Sequence, residues 1–413
     1  MQTNVLVIGN GMASVRLVET LVRLAPGRFA ITIVGAEPQV GYNRVLLSAL
    51  LSQDIGHDDI LLRDRDWYRS NGITLITGDA VTTIDRVQKQ ASLNSGRHVA
   101  FDMCIFATGS QPFRLPIPGM DKAGVITFRD LPDVDVMEGA CDARQKVAVI
   151  GGGLLGIEAA YGLARRGADV TLVHVMDRLM ERQLDFPAAE LVKRALERKG
   201  VKILLQKQTA EVTGSASATG LTFADGETLQ ADLIVCAVGI RPNADLASAT
   251  GLSVNRGIRV DDAMASNIPS FYAIGECAEH RGIAYGLVEP AYAQADVVAR
   301  RLLGESAQFE GMVLATNLKV SGLPVFSAGA YMESESAQII TLRNRSTGTY
   351  RKLVLQNDRL IGCVLVGEVE DGLWYLDLIR REIDVSAVRK LLIHGRIFAE
   401  PDLSHATCMP RAA

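Results

Sequence analysis

Two short glycine runs in this chain have the spacing that holds a phosphate group. They are Gly9-Asn10-Gly11-Met12-Ala13-Ser14 and Gly151-Gly152-Gly153-Leu154-Leu155-Gly156. In such a run the first glycine lets the chain turn sharply, and the second removes a side chain that would keep a pyrophosphate off the backbone. A small third residue lets the following helix approach the preceding strand, and the N-terminus of that helix favours an anion. The second run is a full G-x-G-x-x-G, whereas the first carries serine in the third place.

Each turn needs a strand before it and a helix after it. Val5, Leu6, Val7 and Ile8 form an apolar run suited to a strand buried on both faces. Met12, Val15, Val18 and Leu21 then fall on one helical face, with Arg16, Glu19 and Arg23 elsewhere. The next strand, residues 30–34, leads to Glu37, an acid that can accept a ribose hydroxyl. It comes later than the usual separation of about 20 residues, and the loop Ala25-Pro26-Gly27-Arg28 accounts for the extra length. Arg44 follows in a turn from which its planar, always-charged fork can reach a phosphate.

Residues 146–150, 157–166 and 168–174 repeat the strand–helix–strand pattern around the second glycine run. There the place of the acid is taken by His174. A neutral histidine suits a ribose hydroxyl and a charged one a 2′-phosphate, so these residues leave NADH and NADPH both open. Two such units in one chain point to a protein that binds two dinucleotides.

Residues 78–85 and 98–108 also read as strands. The second ends in Ala107-Thr108-Gly109, and the run PFRLPIPG after it can continue neither a helix nor a central strand, so it reads as a crossing between domains. Residues 233–237 lead into Val238-Gly239-Ile240-Arg241-Pro242-Asn243, which echoes the first crossing and reads as the return. Residues 270–277 form another apolar strand ending in Gly275 and Glu276, a carboxylate able to accept bonds from sugar-like hydroxyls. A helix over 290–303 follows. Beyond it, strands are expected at 317–320, 338–342, 350–355 and 360–366, with a helical tail over 372–393.

The fold expected is α/β, with two Rossmann-like dinucleotide-binding domains and a smaller C-terminal α+β domain. Its boundaries read as 1–114 and 244–308 for the first domain, 115–243 for the second and 309–413 for the third. A length of 413 residues suits two or three domains. The net charge of −4 argues against nucleic acid or a membrane surface as partner. No apolar run reaches the length of a transmembrane span and no basic leader precedes the first strand, so a cytoplasmic protein is expected. Cys104, Cys141, Cys236, Cys277, Cys363 and Cys408 lie far apart, without the close pair of a redox dithiol or metal knuckle. The histidines show no metal-binding spacing, and no metal is expected.

Taken together, the glycine turn with Glu37, the middle ATG, the second GxGxxG and YAIGE resemble the two-dinucleotide flavoprotein family of glutathione, ferredoxin and rubredoxin reductases. That resemblance covers residues 1–308. Within it, GNGM, GYNRVLLS, ATGSQPF, GGGLLGIEAA, LMERQLD, VGIRPN, YAIGECAEHRG and GLVEPAY are similar to the FAD module of assimilatory NAD(P)H–nitrite reductase large subunits. They are also similar to the electron-transfer subunits of assimilatory nitrate reductases, and YRKLVLQNDRLIGCVLVG extends the likeness into the third domain.

The resemblance implies that Gly9, Gly11, Ser14, Glu37 and Arg44 hold the adenosine and pyrophosphate of FAD, with Met12, Ala107 and Gly275 in the same set. Val81 would meet the adenine through its backbone, Thr108 and Gly109 would pass beside the cofactor, and Glu276 would take a ribityl hydroxyl. Gly151, Gly153, Gly156 and His174 would hold the nicotinamide nucleotide, NADH being favoured, with Glu158 and Gly239 near its reactive half. Ferredoxin reductases carry a lysine where this chain has Ala49, so that turn offers no lysine to tune a flavin. Nitrite reductase large subunits continue into iron–sulfur and sirohaem parts. Electrons are therefore expected to leave this chain for a nitrate or nitrite reductase, or for a ferredoxin- or rubredoxin-like carrier.

The reaction implied is hydride transfer from NAD(P)H to FAD, with C4 of one ring at about 3–3.5 Å from N5 of the other. It needs no side-chain acid, base or nucleophile, and none is named. A thiol-based reductase of the same family would carry a cysteine within 42–51, which has none. A direct NADH oxidase is one alternative. A low-turnover FAD- and NAD(P)H-binding signalling or assembly protein is another.

Overall fold

The apolar run at the head of the chain becomes the middle strand of a parallel sheet. In the computed structural model, which describes residues 2–320, 322–332, 336–344 and 346–407, the chain divides into two units. The first comprises residues 1–113, 129–131 and 239–311, and the second 114–128, 132–238 and 312–413.

In the first unit Thr3–Ile8 lies between Met103–Phe106 and Phe29–Gly35, with Phe271–Ala273 and Thr74–Thr77 outside them. All four pairings are parallel. Leu6 and Val7 are fully buried, as a strand covered on both faces requires. Ile8 pairs with Val34 on one side and Phe106 on the other, so the three strands end level and their turns leave from one edge. Helix Met12–Leu24 buries Val15, Val18 and Leu21 and packs beside helix Val288–Leu302, where Arg16 meets Asp296 at 2.7 Å.

Three strands read from the sequence are divided differently, one being 270–277, where only Phe271–Ala273 is strand and Gly275–Cys277 is a single helical turn. The stretch 98–108 is broken: His98–Ala100 joins an antiparallel meander with Gln90–Leu93 and Val81–Asp85, while Met103–Phe106 enters the central sheet. Asp102 makes the switch, its carboxylate accepting the Asn4 N–H at 2.8 Å while its own N–H donates to the Asn4 carbonyl. The strand expected from 78 starts at Val81, because the N–H groups of Gly78 and Asp79 turn back onto the carbonyls of Glu37 and Gly35.

The nucleotide-type sheet of the second unit repeats the first. Lys146–Ile150 lies between Asp169–Val173 and Leu233–Cys236, with Lys202–Leu204 and Val125–Ile126 outside, all parallel. Ile150 pairs with Val173 and Cys236, again bringing three strand ends level. The same unit holds a five-stranded antiparallel sheet in the order Ala315–Val320, Leu323–Gly329, Arg359–Val366, Thr349–Gln356, Gln338–Asn344.

Strand Leu323–Gly329 was not read from the sequence, and it carries Pro324 near its start. The proline is tolerated because the ladder to Arg359–Val366 begins only at Val325. The helical tail expected over 372–393 is broken into pieces, and a further helix, Arg396–Thr407, follows it. Gly372–Arg380 is one helix, which ends before Glu382 adopts left-handed backbone; Ser386–Val388 and Arg389–Leu392 are separate turns. Phe326, Leu353, Leu365, Tyr375 and Leu392 share its core. The α/β class with a smaller α+β part is the fold observed. Among the described residues no helix is long and apolar enough to cross a membrane, and Cys408 lies outside them.

Candidate functional site

Gly9 sits where strand Thr3–Ile8 ends, its N–H donating to the Val34 carbonyl at 2.7 Å. Its φ is +109°, and a Cβ there would stand 2.1 Å from the Ala107 carbonyl oxygen, so both the backbone and the space demand glycine. Gly11 caps helix Met12–Leu24 in extended backbone and, having no side chain, makes no cap bond of its own. A Cβ on Gly11 would meet nothing within 4 Å. Ser14, fully buried, donates from Oγ to the Gly9 carbonyl at 2.6 Å. The result is a helix N-terminus whose first N–H groups have no partner within the helix, beside open room at Gly11.

The same geometry recurs in the second unit. Gly151 has φ +118° and its Cβ would be 2.2 Å from the Ala237 carbonyl, while Gly153 caps helix Leu154–Arg165 and opens onto space. Gly156 is packed so closely that a Cβ would lie 1.9 Å from the Gly151 carbonyl. Each cradle is therefore closed behind and open in front, which fits a dinucleotide pyrophosphate.

Around the first cradle the expected residues fall into two bonded groups. The Glu37 carboxylate accepts the Tyr42 hydroxyl at 2.7 Å and pairs with Arg44, whose guanidinium also lies over the Tyr42 ring and donates to the Arg129 carbonyl at 3.0 Å. Burial works against the charge on Arg44, but Tyr42 and Glu37 outweigh it and raise its pKa. Burial, ahead of the neighbouring carboxylate, pushes the Tyr42 hydroxyl up, so it stays a donor. The Glu276 carboxylate takes Ser110 Oγ at 2.7 Å and Arg129 at 2.5 Å. Gly275 stands beside it with φ +76°, its N–H donating to Gln294. Val81 begins the meander next to the 78–79 turn that bonds Glu37 and Gly35.

Thr108 and Asn243 bond reciprocally, Thr108 Oγ1 to the Asn243 carbonyl at 2.6 Å and Asn243 Nδ2 to the Thr108 carbonyl at 2.9 Å. Gly109 (φ +65°) accepts the Asn243 N–H, and the two crossings pair as antiparallel strands Ser110–Pro112 and Ile240–Pro242. Gly239 has φ +121°, open space where a side chain would be, and a carbonyl bonded by Phe113 N–H.

Around the second cradle, His174 ends strand Asp169–Val173 with 8% exposure. Its Nδ1 accepts the Gly152 N–H at 3.0 Å and its Nε2 lies 3.0 Å from Glu181 Oε2. Glu158 sits half-buried on helix Leu154–Arg165. Tyr42, Ser110, Arg129, Asn243 and Glu181 were missed by sequence reasoning. Tyr42 stands two places before Arg44 and Glu181 lies within the LMERQLD run, but Arg129 carries no local signal.

Residues 3–296 match the pyridine nucleotide-disulphide oxidoreductase family, and residues 315–383 match the rubredoxin NAD+ reductase C-terminal domain. The chain belongs to the pyridine nucleotide-disulphide oxidoreductase family. Membership of that family implies FAD and NAD(P)H as cofactors. It is 48% identical to nitrite reductase [NAD(P)H] of Bacillus subtilis, over 97% of this chain and 50% of that one. It is 42% identical to the assimilatory nitrate reductase electron transfer subunit of the same organism, over 97% of this chain and 52% of that one. The chain thus spans about half the length of these two curated relatives.

Among solved structures it is similar to the covalent putidaredoxin reductase–putidaredoxin complex, with a TM-score of 0.88 and 26% identity over 98% of this chain and 99% of that one. Despite the family's name, the five cysteines among the described residues are buried and none of them is in a disulfide.

Proposed function

We propose that this protein takes electrons from NADH into bound FAD and passes them to a separate redox protein of nitrate or nitrite assimilation. The observation that carries this reading is the pair of cradles in which Gly11 and Gly153 each cap a helix and face open space. In this reading residues 1–114 and 244–308 bind FAD, residues 115–243 bind the nicotinamide nucleotide, and residues 309–413 form a third domain.

Gly9, Gly11, Met12, Ser14 and Ala107 form the turn that receives the FAD pyrophosphate, and Arg44 adds a fixed positive charge. Glu37 accepts a ribose hydroxyl, the backbone at Val81 meets the adenine, and Thr108, Gly109, Gly275 and Glu276 line the ribityl side. Gly151, Gly153 and Gly156, with His174 behind them, receive the nicotinamide nucleotide, and Glu158 and Gly239 stand toward its reactive half. FAD, when bound, accepts a pair of electrons and releases them singly, which a nicotinamide does poorly. The chain's own work is binding, orientation and charge; no side chain is assigned a proton. A cytoplasmic setting is part of this reading, the five described cysteines forming no disulfide.

A ferredoxin- or rubredoxin-like carrier is the second acceptor reading, favoured by the match of residues 315–383 to the rubredoxin NAD+ reductase C-terminal domain. The test is anaerobic mixing of the purified yellow protein with NADH, followed by candidate acceptors, beginning with the nitrate or nitrite reductase of the same source. Bleaching of the flavin band and its return on adding one acceptor is the expected result. Colourless protein that refuses added FAD, or a flavin that NADH leaves oxidised, would overturn the reading.

A further inference from the structure

We propose that Glu181, delivered by His174, is the carboxylate that accepts the adenosine ribose hydroxyls of the nicotinamide nucleotide and selects NADH over NADPH. The inference rests on the assignment of the second cradle to that nucleotide.

In a dinucleotide unit the ribose lies near the end of the second strand, where an acid normally receives it. Here that position is His174, and its ring is committed to the protein. Nδ1 accepts the Gly152 N–H at 3.0 Å, and the ring fills the space beside Gly152, where a Cβ would stand 2.6 Å away. A nitrogen that accepts a backbone N–H carries no proton, so the ring hydrogen is on Nε2. That hydrogen points to Glu181 Oε2 at 3.0 Å. Both nitrogens are taken, and none is left for a sugar.

Glu181 is brought to the same corner by a second tether. The N–H of its neighbour Met180 donates to the Gly152 carbonyl at 2.9 Å, and Gln183 and Leu184 close a turn onto the Met180 carbonyl. The loop after the strand thus folds back against the glycine turn and returns an acid to where the strand's end lacks one. One carboxylate oxygen is held by His174. The other, Oε1, has only the exposed Arg182 at 3.9 Å among the described residues, beyond hydrogen-bond distance. An oriented carboxylate with one oxygen available accepts hydroxyls and repels a 2′-phosphate.

The experiment measures binding to the flavin-loaded protein by calorimetry, independently of turnover. The probes are NAD+, its analogue lacking the adenosine 2′-hydroxyl, and NADP+. In the unaltered protein, loss of the hydroxyl is expected to weaken binding at least about tenfold, the lower end for one hydrogen bond to a charged group, and NADP+ is expected to bind more weakly still. In Glu181→Gln, which keeps the shape but not the charge, the penalty for the missing hydroxyl shrinks, and NADP+ gains on NAD+. A merely structural role would weaken all three ligands alike and leave the ratios unchanged, which would overturn the proposal. So would an analogue that binds the unaltered protein as tightly as NAD+. Gly153→Val serves as the control: if it leaves all binding intact, the cradle assignment itself fails, a result separate from any failure of Glu181.

Discussion

The hydroxyl of Ser14 donates to the carbonyl of Gly9 at 2.6 Å, and this bond marks the difference between two otherwise matching turns. At the corresponding place in the second unit, Gly156 is so close to Gly151 that even a methyl group would stand 1.9 Å from its carbonyl. The first turn is wide enough for a side chain that bonds the carbonyl; the second has no such width. Ser14→Ala is expected to cost about 1 kcal/mol, one net hydrogen bond. Gly156→Ala is expected to cost about 1–3 kcal/mol through overpacking, with a larger drop in thermal midpoint and weaker NADH binding. Equal effects would show that the two turns do not differ in this way.

Gly11 and Gly153 face open space, so a valine at either would occupy room assigned to a ligand without striking the protein. Gly11→Val is expected to yield a folded but colourless protein. Gly153→Val is expected to keep its flavin while the NADH concentration needed for bleaching rises by at least an order of magnitude. Absorbance and an anaerobic NADH titration distinguish them, and yellow protein with normal bleaching from both would refute the assignment.

Arg129 joins the two bonded groups of the first cradle, its carbonyl held by Arg44 and its guanidinium on Glu276. The Glu276 side chain is 24% exposed, so Arg129→Ala leaves a largely buried carboxylate short of a cation, at about 1–3 kcal/mol. The expected result is faster flavin loss on dilution. Arg129→Lys is expected to recover part of the loss, because a lysine restores the charge without the planar fork.

Asp296 links helices Met12–Leu24 and Val288–Leu302 through Arg16 and Thr20. Burial alone would raise its pKa, but those two hydrogen bonds and the Arg16 charge outweigh burial and hold it below the ordinary carboxylate range. A group whose folded pKa is depressed stabilises the fold above its unfolded value and loses that contribution as pH falls through the folded one. Asp296→Asn is therefore expected to lower the urea midpoint at pH 7, and the gap from the unaltered protein is expected to close as pH falls below about 4. A gap constant with pH would show that Asp296 acts through packing alone.

Burial pushes the Cys363 thiol up to about 12 and raises the thiols of Cys277 and Cys104 as well. Thiols so protected react slowly. NADH oxidation by the native protein is therefore expected to survive treatment with iodoacetamide, with alkylation of these three absent by mass spectrometry until denaturant is added.

The amino-acid pattern alone determined both turns, because what a glycine contributes is local. A missing Cβ between an apolar strand and an amphipathic helix means the same thing wherever the unit sits, and Gly9, Gly11, Gly151 and Gly153 could be read from their neighbours. The α/β class followed from the repeat of that unit. Only the tertiary structure decided the partners. Arg129 meets Glu276 across 147 positions and Thr108 meets Asn243 across 135, pairings set by the fold rather than by any spacing in the chain. His174 shows why the rest was hidden. A histidine at a strand's end reads as a hand held out to a ligand, but packing against Gly152 and Glu181 occupies both its nitrogens. Which atoms remain available to a ligand depends on how far the fold has already satisfied them.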